Sequence, residues 1–246
     1  MSRIPTRLYP RLPCRLPPLK RYSNYCLSFA AGQYVNTAAF VPPSSGAIET
    51  WIRPAASMVP PPPAVFPYIS GFLGEPTLII QANTGRPYLQ HNIGGILRAV
   101  LGTALLANVW TRITVTWAYD GANTALAIYQ NGVLTGGPTS WVGAPPIAAA
   151  IFRISNPVAG NEYVGLQDEV HLLSVVPSAQ EIRESFLRGY AQRRSGSELI
   201  LRLEEGTGLT AYDGSGNARN GCLLPALTPP AWTEVRKHEL LAEARV

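Results

Sequence analysis

Over residues 111–130 polar and apolar side chains alternate with a period of two. Arg112, Thr114 and Thr116 interleave with Ile113, Val115 and Trp117; the turn "DGAN" follows, and Leu126 and Ile128 lead to a second turn at Asn131–Gly132. That period and those turn residues predict a β-hairpin. The same grammar recurs along most of the chain. "CLSFAAGQYVNTAAF" reads as two strands about Gly32, and "GAIETWIRP" alternates Ile48, Thr50 and Ile52 against Ala47, Glu49 and Trp51 until Pro54 stops it. "MVPPPPAVFPYISGF" is a stiff proline loop entering a strand. "PTLIIQANTGRPYLQHN" is a hairpin about Asn83–Gly85, "GGILRAVLGT" another strand, and "YVGLQDEVHLLSVV" a long one beyond a loose stretch containing "GAPPIAAA".

Only one segment changes period. In "PSAQEIRESFLRGYAQRR" Ser178 and Glu181 form a capping box, and Ile182, Phe186 and Tyr190 recur every four residues, which predicts a short helix near 179–192. "RRSGSE" is then a linker of few residues before a last β-like stretch, "LRLEEGTGLTAYDGSGNARNG".

Composition refines this picture at the ends. The 246 residues are 46% apolar and 14% charged, enough for one large core, with 22 glycines and 23 prolines between the apolar runs. Residues 1–22 carry Arg3, Arg7, Arg11, Arg15, Lys20 and Arg21 without an acid; taking these six from 20 basic residues leaves 14 against 15 acidic in the body. The body is near neutral and the positive charge sits in an arm. Prolines at 5, 10, 13, 17 and 18 deny that arm a helix and leave it extended. The expected organisation is an arm over 1–22, one body over 23–236 and a tail over 237–246. No apolar stretch has the length of a membrane span, and the proline-broken N-terminus lacks the core of a secretory signal. Cys14, Cys26 and Cys222 have neither disulfide-framework nor zinc spacing; Cys26 and Cys222, in strand-like runs, are expected to be buried thiols.

Three stretches together resemble the laminin-G-like branch of the concanavalin A-like lectin/glucanase superfamily. "WTRITVTWAYDG" with "LAIYQNG" is similar to the family's central hairpin, "GLQDEVHLLSVVPSAQEI" to its closing strand and helix, and "LRLEEGTGLTAYDGSGNARNGCL" to its opening strand and turn. The resemblance implies an all-β jelly-roll sandwich of two antiparallel sheets. It also implies a circular permutation, since the opening strand stands after the helix. The first and last strands of such a sandwich are neighbours, so its ends can be re-cut. The strands after residue 199 are expected beside 164–173 in the same chain. A swap into a neighbouring subunit is the alternative, which so short a linker disfavours.

Candidate chemistry is sparse. The acids in the matching strands, Asp168–Glu169 and Glu204–Glu205, are adjacent, and adjacent strand residues face opposite ways. Neither pair makes the two-carboxylate site of a glycosidase. His91, His171 and His238 have no nucleophile or metal partner close in sequence. Asp213, Ser215 and Asn217 are either calcium ligands, which the resemblance allows, or caps of their own turn, the commoner use; no cofactor is assigned. Tyr68, Tyr88 and Trp141 are the candidates for stacking on a sugar. Trp141 is the foremost because "TSWVGAPP" reads as a loop, with cover of an apolar edge or a subunit contact as the alternative; Trp51, Trp110 and Trp117 read as core strand residues.

These observations point to a non-enzymatic structural or interaction protein of a phage or virus particle. It would be assembled in the host cytoplasm as a homo-oligomer, with the arm docking on other subunits. The alternative is a carbohydrate-binding lectin-like module; a glycoside hydrolase is the third reading. A nucleic-acid role for the arm is disfavoured because aromatic or glycine interleaving is thin.

Overall fold

In the computed structural model, residues 25–190 and 194–235 are described. The arm 1–22 with its six cations, Cys14, the tail 237–246 and His238 lie outside the described residues. The chain begins with β1 (Tyr25–Phe29), β2 (Tyr34–Phe40) and β3 (Gly46–Pro54). After a single 3-10 turn come β4 (Tyr68–Phe72), β5 (Thr77–Ile80), β6 (Pro87–Ile93) and β7 (Ile96–Leu101). The central hairpin is β8 (Thr111–Tyr119) and β9 (Asn123–Gln130), followed by β10 (Val133–Val142), β11 (Ala150–Ile154) and β12 (Gly165–Leu173). The helix α1 (Ala179–Arg188) precedes β13 (Ser197–Leu201), β14 (Thr210–Ala211), β15 (Gly221–Leu224) and β16 (Ala231–Glu234).

All pairings are antiparallel and give two eight-stranded sheets. Sheet A runs β10-β9-β8-β3-β12-β1-β16, with β13 also on β12; sheet B runs β14-β15-β2-β11-β4-β5-β6-β7. Between them lies one apolar layer. Ile48, Ile52, Val115, Trp117 and Ile128 of sheet A meet Val35, Leu78, Ile80, Leu89 and Phe152 of sheet B. Fully burying side chains of this size stabilises by about 1.5–3 kcal/mol each.

The stretch after Gly196 pairs within the chain. Val170 faces Leu201 and Leu172 faces Leu199 across β12 and β13, while β15 adds to β2 and β16 to β1. Residues 197–234 thus supply strands to both sheets.

Four expectations need correction. The stretch after Gly132 is loose only in part: residues 143–149 are irregular, but on either side it forms β10 and β11, the former hidden in the sequence by bulges at Leu134–Gly136 and Gly136–Thr139 that break the alternation. The helix ends at Arg188 rather than 192, because Gly189 takes the left-handed C-cap conformation (φ 77°). Cys222 is exposed, since its neighbour Leu223 is the residue of β15 that points into the core. Trp110 is core, as expected, but precedes β8 instead of lying in it.

Sheet A's outer face carries Glu49, Trp51, Arg112 and His171, and α1 covers it. Trp51, Trp110, Phe186, Cys26 and Val235 pack there as a second apolar cluster, and Trp51 Nε1 donates to the Gly189 carbonyl (3.1 Å). Polar positions that alternation marks as outward are therefore buried under the helix: Glu49 is 0% and Arg112 1% exposed.

Candidate functional site

The outer face of sheet B carries a groove of about 570 Å³ on β4, β5 and β6. Residues paired directly across antiparallel strands share a face. Tyr68 stands opposite Ile79, and Ile79 opposite Tyr88, so two tyrosines two strands apart flank an apolar floor. The next row sets Gly71 opposite Thr77 and Thr77 opposite Gln90. Gln90 and Asn92 follow Tyr88 at alternate positions of β6, and Asn156, Asn161 and Phe66 close one end of the groove. Glu75, in the β4–β5 turn, closes the other.

Glu75 is the one carboxylate among the described residues lining the groove. Its Oε1 accepts from Gln90 Nε2 at 2.8 Å. Burial raises its pKa, against the lowering effect of that hydrogen bond. Its backbone φ of 89° lies in the left-handed region, a conformation that costs a non-glycine residue about 1–3 kcal/mol. Burial likewise holds the Tyr68 phenol protonated well beyond its ordinary range, against the lowering effects of the Arg153 charge and the Thr77 side chain. Tyr88 is half-buried, and burial followed by the Glu75 charge raises its pKa too.

Beneath the groove His91 points inward, fully buried, edge-on to Trp117 with ring centroids 6.1 Å apart. Among the described residues neither ring nitrogen has a hydrogen-bond partner, and Nδ1 lies 3.9 Å from Glu75 Oε2. Burial depresses the imidazole pKa from 6.5 to about 4. The unfolded chain therefore takes up a proton first, and stability falls as the pH drops from about 6.5 through 4. A depression of this size corresponds to about 3 kcal/mol. Glu75, with its raised pKa, works in the opposite sense over the acid range. His91→Leu is expected to remove two unsatisfied polar atoms, to stabilise at pH 7 by about 1–2 kcal/mol, and to flatten the loss between pH 6.5 and 4. Urea unfolding across that range checks both; an unchanged acid slope overturns the assignment.

Of the three aromatic candidates the structure brings two together. Tyr68 and Tyr88 share the groove. Trp141 does not join them: it lies in the edge strand β10 opposite Thr124, half-buried against the main core. The sequence marked its surroundings as a loop because Gly136, Gly137 and Pro138 interrupt that strand.

The "DGSGN" turn caps itself. Asp213 Oδ1 accepts from the backbone N–H groups of Ile200 and Ser215, and Oδ2 from Arg219 N–H and the Ser215 hydroxyl. Asn217 Nδ2 donates to the carbonyls of Ser197 and Glu198. Asp213's oxygens are spent on four hydrogen bonds, so this turn does not fit calcium. Asp168 and Glu169 sit at a bulge in β12, where Glu169 has φ 52° and strict alternation fails. Neither they nor Glu204–Glu205 line the groove.

One further cluster has the outline of a relay. His171 Nε2 lies 2.9 Å from Ser197 Oγ, and its Nδ1 3.5 Å from Glu49 Oε2. The outline is structural. Glu49 is already bonded to Arg112 (3.2 Å), Arg194 (3.1 Å) and the Ser185 hydroxyl (3.2 Å), and His171 is 1% exposed. A 230 Å³ cavity beside α1 reaches Glu49 and Arg194 but neither Ser197 nor His171.

A family profile described as the concanavalin A-like lectin/glucanases superfamily matches residues 29–183. Among curated proteins none matches the sequence. Among solved structures, a protein of Bacteroides ovatus ATCC 8483 to which carbohydrate binding is ascribed aligns with a TM-score of 0.62 at 18% identity, covering 87% of this chain. This chain spans 60% of that protein's length. A heptameric SAP-like pentraxin of Limulus polyphemus aligns at 0.51 and 10% identity, over 80% of this chain and 97% of that one. The enzymatically active domain of tailspike protein 2 from bacteriophage CBA120 aligns at 0.50 and 14%, over 74% and 30%. Identities this low establish a shared fold.

Proposed function

Since this chain belongs to the concanavalin A-like lectin/glucanase superfamily, we propose that it is a non-enzymatic glycan-binding module whose site is the groove on sheet B. One observation carries the reading: two tyrosines, an apolar floor and a ring of carboxamides converge on an open trough. A pyranose offers apolar C–H faces to the rings and hydroxyls to the amides, and few other small ligands present both at this density. The ascription of carbohydrate binding to the Bacteroides ovatus protein supports it. Glycoside hydrolysis commonly uses two carboxylates about 5–10 Å apart, and the described lining residues of the groove include one.

Binding to an immobilised glycan panel tests the site. Tyr88→Ala is expected to weaken the best ligand about tenfold or more, as loss of an aromatic anchor does. Its melting temperature should move little, because Tyr88 is half-exposed. Trp141→Ala should bind like the parent. Equal losses from both variants, or none from Tyr88→Ala, remove the groove from the reading.

A second reading says where the module works: on a phage or virus particle, as a decoration of head or tail. Its support is the arm, whose six cations and five prolines precede a near-neutral body. Such an arm suits docking along acidic grooves of neighbouring subunits, and the fold shared with a phage tailspike domain is compatible with that setting. Deleting residues 2–21 is expected to abolish incorporation into particles while leaving glycan binding intact. Normal incorporation of the shortened chain overturns this placement.

A further inference from the structure

We propose that Arg153 is a specificity-determining residue of the same groove, holding a negatively charged substituent on the bound glycan. The proposal rests on the glycan reading above and adds the ligand's charge.

Arg153 lies on β11, directly opposite Gly71 of β4 on one side and Asn36 of β2 on the other. It therefore shares the outer face with the row Gly71–Thr77–Gln90. Three strand spacings, about 14 Å, separate the backbone of Arg153 from that of Gln90. Between them the floor is low. Thr77 is short, and Gly71, with φ 150°, has no room for a side chain, because a Cβ there would stand 2.4 Å from the Pro76 carbonyl oxygen. The low floor thus continues across β4 toward β11, and the guanidinium lies just beyond the groove's own lining, over β2. The electrostatic reach of Arg153 to the Tyr68 hydroxyl places the two in one neighbourhood.

The guanidinium is fixed before any ligand arrives. It stacks on the Tyr34 ring at 5.0 Å from the centroid, and its Nε donates to Asn36 Oδ1 at 2.8 Å. Stacking and the Nε bond orient the planar fork and leave its terminal N–H groups for an acceptor. Arginine held this way matches two parallel oxygens of a carboxylate or sulfate. At the far end Glu75 repels such a group and accepts from hydroxyls, so the ligand has one direction. The shared chemistry is an anionic sugar substituent, either a uronate carboxylate or a sulfate ester.

A glycan array that presents each backbone in neutral, carboxylated and sulfated form tests this. The parent protein is expected to favour an anionic form over its neutral counterpart by about tenfold or more in low salt. That advantage should shrink in 0.5 M NaCl, while neutral binding holds. Arg153→Gln should erase the advantage, bringing the anionic and neutral forms to the same affinity. Arg153→Lys, which keeps charge but not the fork, should retain part of it for sulfate and lose more for carboxylate. Whichever anion is favoured identifies the source. Equal affinity for neutral and anionic forms, with Tyr88→Ala still weakening both, overturns the role of Arg153 and leaves the glycan reading standing. If no glycan in any form binds, the glycan reading itself fails and this proposal with it.

Discussion

A chain ended at Gly196 is expected to lose its cooperative melting transition and to aggregate, although the whole of its helix and twelve of its strands would still be present. The missing part includes Leu199, Leu201, Leu203 and Leu223, all at 0–1% exposure and all in the main core. At about 1.5–3 kcal/mol for each buried leucine, those four contribute roughly 6–12 kcal/mol. That equals the whole net stability of an ordinary domain, about 5–15 kcal/mol. The truncation would also bare the edges of β1 and β2 and half of β12, three templates for intermolecular pairing. Calorimetry and light scattering read the outcome. A monomer with an unchanged melting temperature would mean that the last strands are appended to a complete sandwich. Supplying residues 197–235 as a separate peptide should restore part of the transition.

The second large effect concerns the ions under α1. Glu49→Ala is expected to cost about 3–5 kcal/mol, because it strands the buried Arg112 guanidinium beside the Trp51 ring. Arg112 bonds both Glu49 and the helix residue Ser185 (2.7 Å), so the loss should reach α1 as weaker protection of its amides from hydrogen exchange. The same carboxylate sets an acid limit. Burial pushes its pKa up, but the His171 contact and the charges of Arg112 and Arg194 outweigh burial and hold it at about 2 against 4.5 when free. Because the folded value is depressed, its contribution is complete above about pH 4.5 and disappears as pH falls through 2. Burial lowers the pKa of His171, outweighing the raising effects of the Glu49 hydrogen bond and charge. Urea midpoints of Glu49→Ala and Glu49→Gln from pH 7 to 2 check this. A loss below 1 kcal/mol for both would show that the arginines find water instead.

The two-sheet sandwich was legible in the sequence wherever alternation was clean. Arg112 to Trp117, Ala47 to Ile52 and the capping box at Ser178 all formed as their patterns predict. Legibility failed where the chain departs from a period of two, as in β10, or where a long-range partner decides. Nothing local says that Arg112 and Glu49 meet beneath a helix that arrives more than sixty residues later. The groove was half-visible. Tyr68 and Tyr88 stood out as aromatics, and Gln90 and Asn92 could have been added from their alternation with Leu89, His91 and Ile93. Arg153, Asn156 and Asn161 come from a distant segment, and only strand order brings them alongside.

Tyr25 begins β1 and Glu234 ends β16, and the two are partners across neighbouring antiparallel strands. Tension applied between these two points would load a single rung at a time: first Tyr25–Glu234, then Cys26–Thr233, then Leu27–Trp232. Rungs broken in succession yield at lower force than rungs sheared together, so this corner of sheet A is a zipper. A body suspended by Tyr25 alone, gripping a surface through the opposite sheet, escapes that weakness. Its load then passes into a strand clasped on both sides, β1 between β16 and β12.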